Sequence, residues 1–171
     1  MIKNGVRAGI DTIEHGTMID DEGIELMVQH GTWLVPTFAI CELSLDPNNT
    51  SMPKYMVEAE KKIAPYHKTG FQKAYAAGVK FAAGTDLPAT AMRNAVAKEM
   101  SYMKEASGMS NLEALQAATK NAAELIGIDK EYGTLEVGKY ADFVVLDGNP
   151  LLDLTAAEAP VYVYQHGIRK K

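Results

Sequence analysis

The chain has 171 residues, 47% of them hydrophobic and 23% charged, with a formal net charge of -5. That composition excludes an intrinsically disordered chain, and the acidic balance argues against a nucleic-acid partner, which needs a basic surface. One cysteine, Cys41, excludes an intrachain disulfide framework, and no apolar run is long enough to span a bilayer.

In chain order, Ile10–His15 is short and β-branched and stops at Gly16, so it reads as a buried strand. Asp20-Asp21-Glu22-Gly23 opens a helix with a capping carboxylate and acidic residues facing the dipole; Ile24, Met27 and Val28 continue it to Gly31. Residues 32–38 form a second strand, with Pro36 near its end. Residues 39–53 read as a long loop around the turn cluster Asp46-Pro47-Asn48-Asn49. A helix over roughly 54–77 follows, with Pro65 expected to kink or divide it. Residues 79–84 make a third strand running into Thr85 and Asp86.

Two helices come next, about 93–106 and 110–126. The second opens on Ser110-x-x-Glu113, the spacing of a capping box. This strand–helix alternation predicts an α/β fold with parallel strands. After Gly127 the pattern changes. Residues 133–139, 141–147 and 161–167 read as strands joined by glycine turns, without helices, which predicts a separate small β module. The boundary is expected near 127–130, giving units 1–127 and 128–171.

Polar residues at the C-terminal ends of parallel strands are the candidates for chemistry. His15 and Asp86 occupy such positions, and imidazole and carboxylate are ordinary zinc ligands. From spacing alone, a hydrogen-bonded strand-end histidine and a turn-capping aspartate explain them equally well. Thr37 ends the second strand on the same side. Arg93 could meet a substrate carboxylate bidentately or simply start a helix at the surface. His30, His67 and His166 read as structural, Asn94 and Glu99 as structural helix positions, Cys41 as a packed thiol without a base, and the methionines as packing.

Five motifs occur in order: Ile13-Glu14-His15-Gly16, Gly84-Thr85-Asp86, Asn121-Ala122-Ala123, Gly138-Lys139-x-Ala141-Asp142-Phe143-Val144 and Asp147-Gly148-Asn149-Pro150. As a set they span nearly the whole chain, which resembles the C-terminal half of the amidohydrolase superfamily. The closest resemblance is to its imidazolonepropionase-like and Xaa-Pro or Xaa-Arg dipeptidase-like branch. The resemblance implies strands six to eight of a (β/α)₈ TIM barrel plus part of a small β-sandwich. It also implies one or two divalent metal ions, zinc above all, with His15 and Asp86 as ligands.

The implied reaction is hydrolysis of a C–N bond in an amide, cyclic amide or dipeptide by metal-activated water. Asp86 would be the general base that then serves as general acid. Thr37 and Arg93 fall where substrate would bind. The segment 87–93 carries less glycine and histidine than the family usually has there.

The family pattern also needs a His-x-His pair, a lysine and a further histidine, and this chain has no His-x-His. A complete barrel takes roughly 250 residues. The expectation is therefore a cytoplasmic fragment that holds metal weakly or not at all by itself and needs a missing N-terminal half or self-association. A non-catalytic half-barrel with a binding or assembly role is the competing reading. A small doubly wound nucleotide domain is disfavoured, because no glycine-rich phosphate loop is present.

Overall fold

A computed structural model of the protein describes residues 1–50, 52–87 and 91–171. Two small sheets organise the described residues. The first is parallel, with β1 (Thr12–Glu14), β2 (Trp33–Val35) and β3 (Lys80–Phe81) in the order β1-β2-β3. The register pairs Ile13 with Leu34 and Leu34 with Phe81. Neighbours in space are neighbours in sequence, with helices on the connections. That order has no reversal point, the feature at which a doubly wound fold binds its nucleotide, so that reading finds no support here.

The connections pack one face of the sheet. Helix α1 (Ile2–Arg7) leads in, a short element that the periodicity did not suggest. Helix α2 (Asp21–His30) starts on Asp20, whose carboxylate accepts from Gly23 N–H at 2.9 Å, and stops on Gly31. Residues 39–53 are not one long loop: α3 (Phe38–Leu45) occupies the first part of that span, up to Leu45. Helix α4 (Lys54–Ala76) then runs as one element through Pro65. A proline here forfeits one backbone bond, but the following turns bury His67, Gly70, Phe71 and Ala74, and that burial outweighs the loss.

Helix α5 (Ala95–Ser107) precedes α6 (Asn111–Ala118), which carries the complete Ser110–Glu113 capping box. The helix expected over 110–126 breaks at Thr119, and α7 (Lys120–Leu125) resumes it. The core lies between sheet and helices: Val6, Met27, Leu34, Phe71 and Met103 are almost completely buried. Phe71 meets Phe38 and Phe81 edge-on, at ring distances of 5.1 and 4.6 Å.

The second sheet is antiparallel, with β4 (Phe143–Val145), β5 (Tyr162–Gln165) and β6 (Ile168–Arg169) in chain order. His166 and Gly167 both have left-handed φ and form the two-residue turn between β5 and β6. The strand expected over 133–139 does not form. Leu135 and Val137 are exposed there, and Lys139 Nζ donates instead to Thr134 Oγ1 at 2.6 Å. A 3₁₀ helix (Leu154–Glu158) ties this part to α5, burying Leu154 in the main core. No described helix is long and apolar enough to cross a membrane.

Candidate functional site

Each strand of the parallel sheet delivers one polar residue at its C-terminal end. His15 directly follows β1, Thr37 follows β2 across Pro36, and Asp86 follows β3 after a five-residue step. All three have left-handed backbone, with φ of 64°, 56° and 50°. They are half of the six non-glycine residues with positive φ among the described residues. Such conformations are disfavoured for residues with a Cβ, and they collect where a fold fixes side-chain direction for a purpose.

The side chains converge. His15 Nε2 lies 3.9 Å from Asp86 Oδ2, and both are substantially exposed, so the pair faces solvent. On its other side, His15 Nδ1 is 2.6 Å from Thr37 Oγ1. The Thr37 hydroxyl also donates to the Pro36 carbonyl at 2.7 Å and is buried, 3% exposed. Thr37 therefore faces His15 rather than open space. Gly16, next to His15, is approached closely by the Leu34 side chain. A Cβ there would lie 2.5 Å from Leu34 Cδ1, at a φ of +65°.

A cleft of about 450 Å³ opens beside the pair, lined by Glu14, Cys41, Met56 and Glu60 as well as His15 and Asp86. Arg93 is exposed in the turn before α5 and is not among the described residues lining it. Pro88, Ala89 and Thr90, part of the segment read from sequence as departing from the family, lie outside the described residues. So does Ser51.

Behind the cleft lies a buried histidine. His67 is 2% exposed and stacks on Phe38 at 4.5 Å. Burial lowers its pKa, opposed by Glu60 and by the carbonyls of His15 and Pro36. Cys41 Sγ sits 3.6 Å from His67 Nδ1. Burial, with Glu60 next, pushes the thiol well up, so it is a packed thiol and a poor nucleophile. His30 is exposed at the end of α2, and His166 stacks on Tyr140 at 4.5 Å in its turn.

Glu99 is the residue whose place sequence reasoning did not find. It is 0% exposed, and its carboxylate accepts from Phe38 N–H at 2.9 Å and Ala39 N–H at 2.7 Å. Burial raises its pKa to about 7 against the two backbone bonds, which lower it. The signal was present: Glu99, Met103 and Ala106 share one helical face, so the carboxylate falls on the buried stripe of α5.

The model of the Amidohydrolase family matches residues 1–168. The chain belongs to the amidohydrolase family. Ochratoxinase from Aspergillus niger is 34% identical over 160 residues, covering 93% of this chain and 33% of that protein. A solved Xaa-Pro dipeptidase with methionine bound in its active site superposes with a TM-score of 0.87 at 34% identity, over 99% of this chain and 42% of that one. A prolidase complexed with N-methylphosphonate-L-proline gives a TM-score of 0.88 at 34% identity, again over 99% and 42%. This amidohydrolase chain thus spans about a third of the curated relative's length and two-fifths of the solved structures. The α/β arrangement expected from the alternation of elements is that of these barrel enzymes over the part they share.

Proposed function

We propose that this chain is the C-terminal part of a metal-dependent hydrolase that cleaves a C–N bond in a small amide, cyclic amide or dipeptide, and that it works only with the rest of the barrel. In this reading residues 1–127 carry barrel strands six to eight, and 128–171 carry part of the attached β-sandwich. The single thiol agrees with a cytoplasmic setting. The carrying observation is the His15–Asp86 pair, 3.9 Å apart at the C-terminal end of a parallel sheet in an amidohydrolase chain.

The donor chemistry fits a divalent metal such as zinc, which takes imidazole nitrogen and carboxylate oxygen. Their number does not complete a site: among the described residues no third His, Cys, Asp or Glu joins them, and catalytic zinc usually takes three protein ligands. His15 and Asp86 would hold their share, and the remaining ligands would come from the other barrel strands. A bound metal supplies Lewis acidity toward water and the scissile carbonyl.

The chain's own residues supply the rest. Asp86, as carboxylate, accepts the proton of the attacking water and returns it to the leaving amine. Arg93 is exposed in the turn before α5 and is not among the described residues lining the cleft, so its fork would meet only a substrate carboxylate that extends out of the cleft. The relatives with methionine and a phosphonate analogue of proline bound favour a substrate derived from amino acids.

Zn²⁺ titration of the whole chain tests this. Weak binding is expected, lost in both His15→Gln and Asp86→Asn. Tight stoichiometric zinc on the monomer, retained by both variants, overturns the reading.

One observation favours a second reading, an assembly role. Strands β1 and β3 are both outer strands of the parallel sheet, and open edges invite pairing with another chain. Sedimentation that shows only monomer removes it.

A further inference from the structure

The junction between β2 and α3 is held from a distance. Thr37 precedes α3 but gives it no side-chain cap. The first N–H groups of a helix need acceptors, and here Glu99 of α5 supplies both, at 2.9 Å to Phe38 and 2.7 Å to Ala39. Burying a carboxylate completely is costly unless its oxygens are bonded, so the fold commits Glu99 to this one turn. His67 packs the same turn from α4 by stacking on Phe38.

The turn fixes Thr37, and Thr37 fixes His15. A hydroxyl has one proton to give. Thr37 directs its proton to the Pro36 carbonyl at 2.7 Å, so toward His15 Nδ1, at 2.6 Å, it can only accept. Nδ1 then carries the imidazole proton, and Nε2 presents its lone pair on the side of Asp86.

We propose that Glu99 is a positioning residue for this site: through the first turn of α3 and Thr37 it holds His15 in the Nδ1–H tautomer, with Nε2 free to bind a cation beside Asp86. This rests on the reading of His15 and Asp86 as ligands. It assigns Thr37 a place behind His15 rather than against substrate. Removing the carboxylate strands two buried N–H groups, and a left-handed Thr37 persists only while its surroundings over-determine it.

The tautomer can be read without metal. The whole chain, labelled with ¹⁵N-histidine, gives Nδ1 and Nε2 shifts for each of its four histidines, and His15→Gln assigns the signal of interest. The unsubstituted chain is expected to show His15 protonated on Nδ1. Glu99→Gln, whose amide can accept only one of the two bonds, and Glu99→Asp, too short to reach both, should each give a mixed tautomer. Thr37→Val should do the same by removing the acceptor. In all three, Zn²⁺ affinity should fall about tenfold.

A merely structural Glu99 would lower the melting temperature and leave the His15 tautomer unmoved in the folded variants, and that result overturns the proposal. Failure of both Glu99 variants to fold overturns it as well, because it makes Glu99 a folding residue. The ligand reading fails separately, if Zn²⁺ leaves His15 Nε2 unmoved in the unsubstituted chain.

Discussion

The parallel sheet and the antiparallel module of β4 to β6 differ in what lies behind their strands: a buried core in the first, solvent-facing contacts in the second. Every residue of β2 is buried, His15 after β1 meets Thr37 after β2, and the turn that follows Thr37 is bonded by Glu99, sixty-one residues from Phe38. In β4, β5 and β6 no residue is buried. Exposed aromatic contacts support that module: Phe143 on Tyr164 at 4.5 Å, Tyr132 on Tyr140 at 5.0 Å before β4, and the Arg169 guanidinium over Tyr162 at 5.1 Å. Burial transmits a change across the first region because close-packed interiors have no slack. Solvent-facing pairs keep a change where it is made.

The largest effect should come from Phe71→Ala. This ring is 2% exposed and is the shared neighbour of Phe38 at the start of α3 and Phe81 of β3. Its loss should cost about 3–5 kcal/mol, read as a drop in the urea midpoint at unchanged slope. A cost below about 1 kcal/mol would place the organising core elsewhere and break the contrast between the regions.

Glu99 gives the next effect, through pH. Its folded pKa of about 7 lies above its ordinary 4.5, so the folded chain holds this proton more tightly than the unfolded one. The stability it contributes is full below pH 4.5 and is lost as pH rises to about 7, a swing of about 3 kcal/mol. Glu99→Gln has no such proton. Urea midpoints at pH 5 and pH 8 should therefore fall further in the unsubstituted chain than in the variant. Parallel pH profiles would show that Glu99 titrates as an ordinary carboxylate.

The same two regions explain what could be read from the sequence. Strands β1, β2 and β3 were legible because short, largely apolar runs stop at glycine or proline, and α2 and α6 because Asp20 and Ser110 cap them locally. Helix α3 was not legible, since its cap is a carboxylate sixty-one residues away. No local pattern in Phe-Ala-Ile-Cys-Glu-Leu-Ser-Leu announces a start. Pro65 misled in the other direction, because a tertiary face of His67, Gly70, Phe71 and Ala74 overrides a local breaker. Residues 133–139 have strand-like alternation and no partner strand among the described residues, and alternation alone does not make a sheet. Of the site, His15 and Asp86 were legible as strand-end residues and meet at 3.9 Å. What held His15 in place was not legible, since Glu99 acts through backbone groups that carry no sequence signature.

The smallest effect belongs to the module. Phe143 and Tyr164 are directly opposed in the β4–β5 register and stack with an interplanar angle of 10°. Tyr164→Ala should cost about 1 kcal/mol and shift signals only in β4, β5 and β6. His15 and Asp86 should not respond, because no buried side chain of that sheet connects to them. One route runs the other way: the 3₁₀ helix that follows β4 packs against α5, and α5 carries Glu99. Asn111 reinforces that joint by donating to the carbonyls of Pro150 and Leu151 at 3.2 and 3.1 Å. If the His15 shifts move in Tyr164→Ala, the module reaches the site through α5, and the two regions are one mechanical unit rather than two.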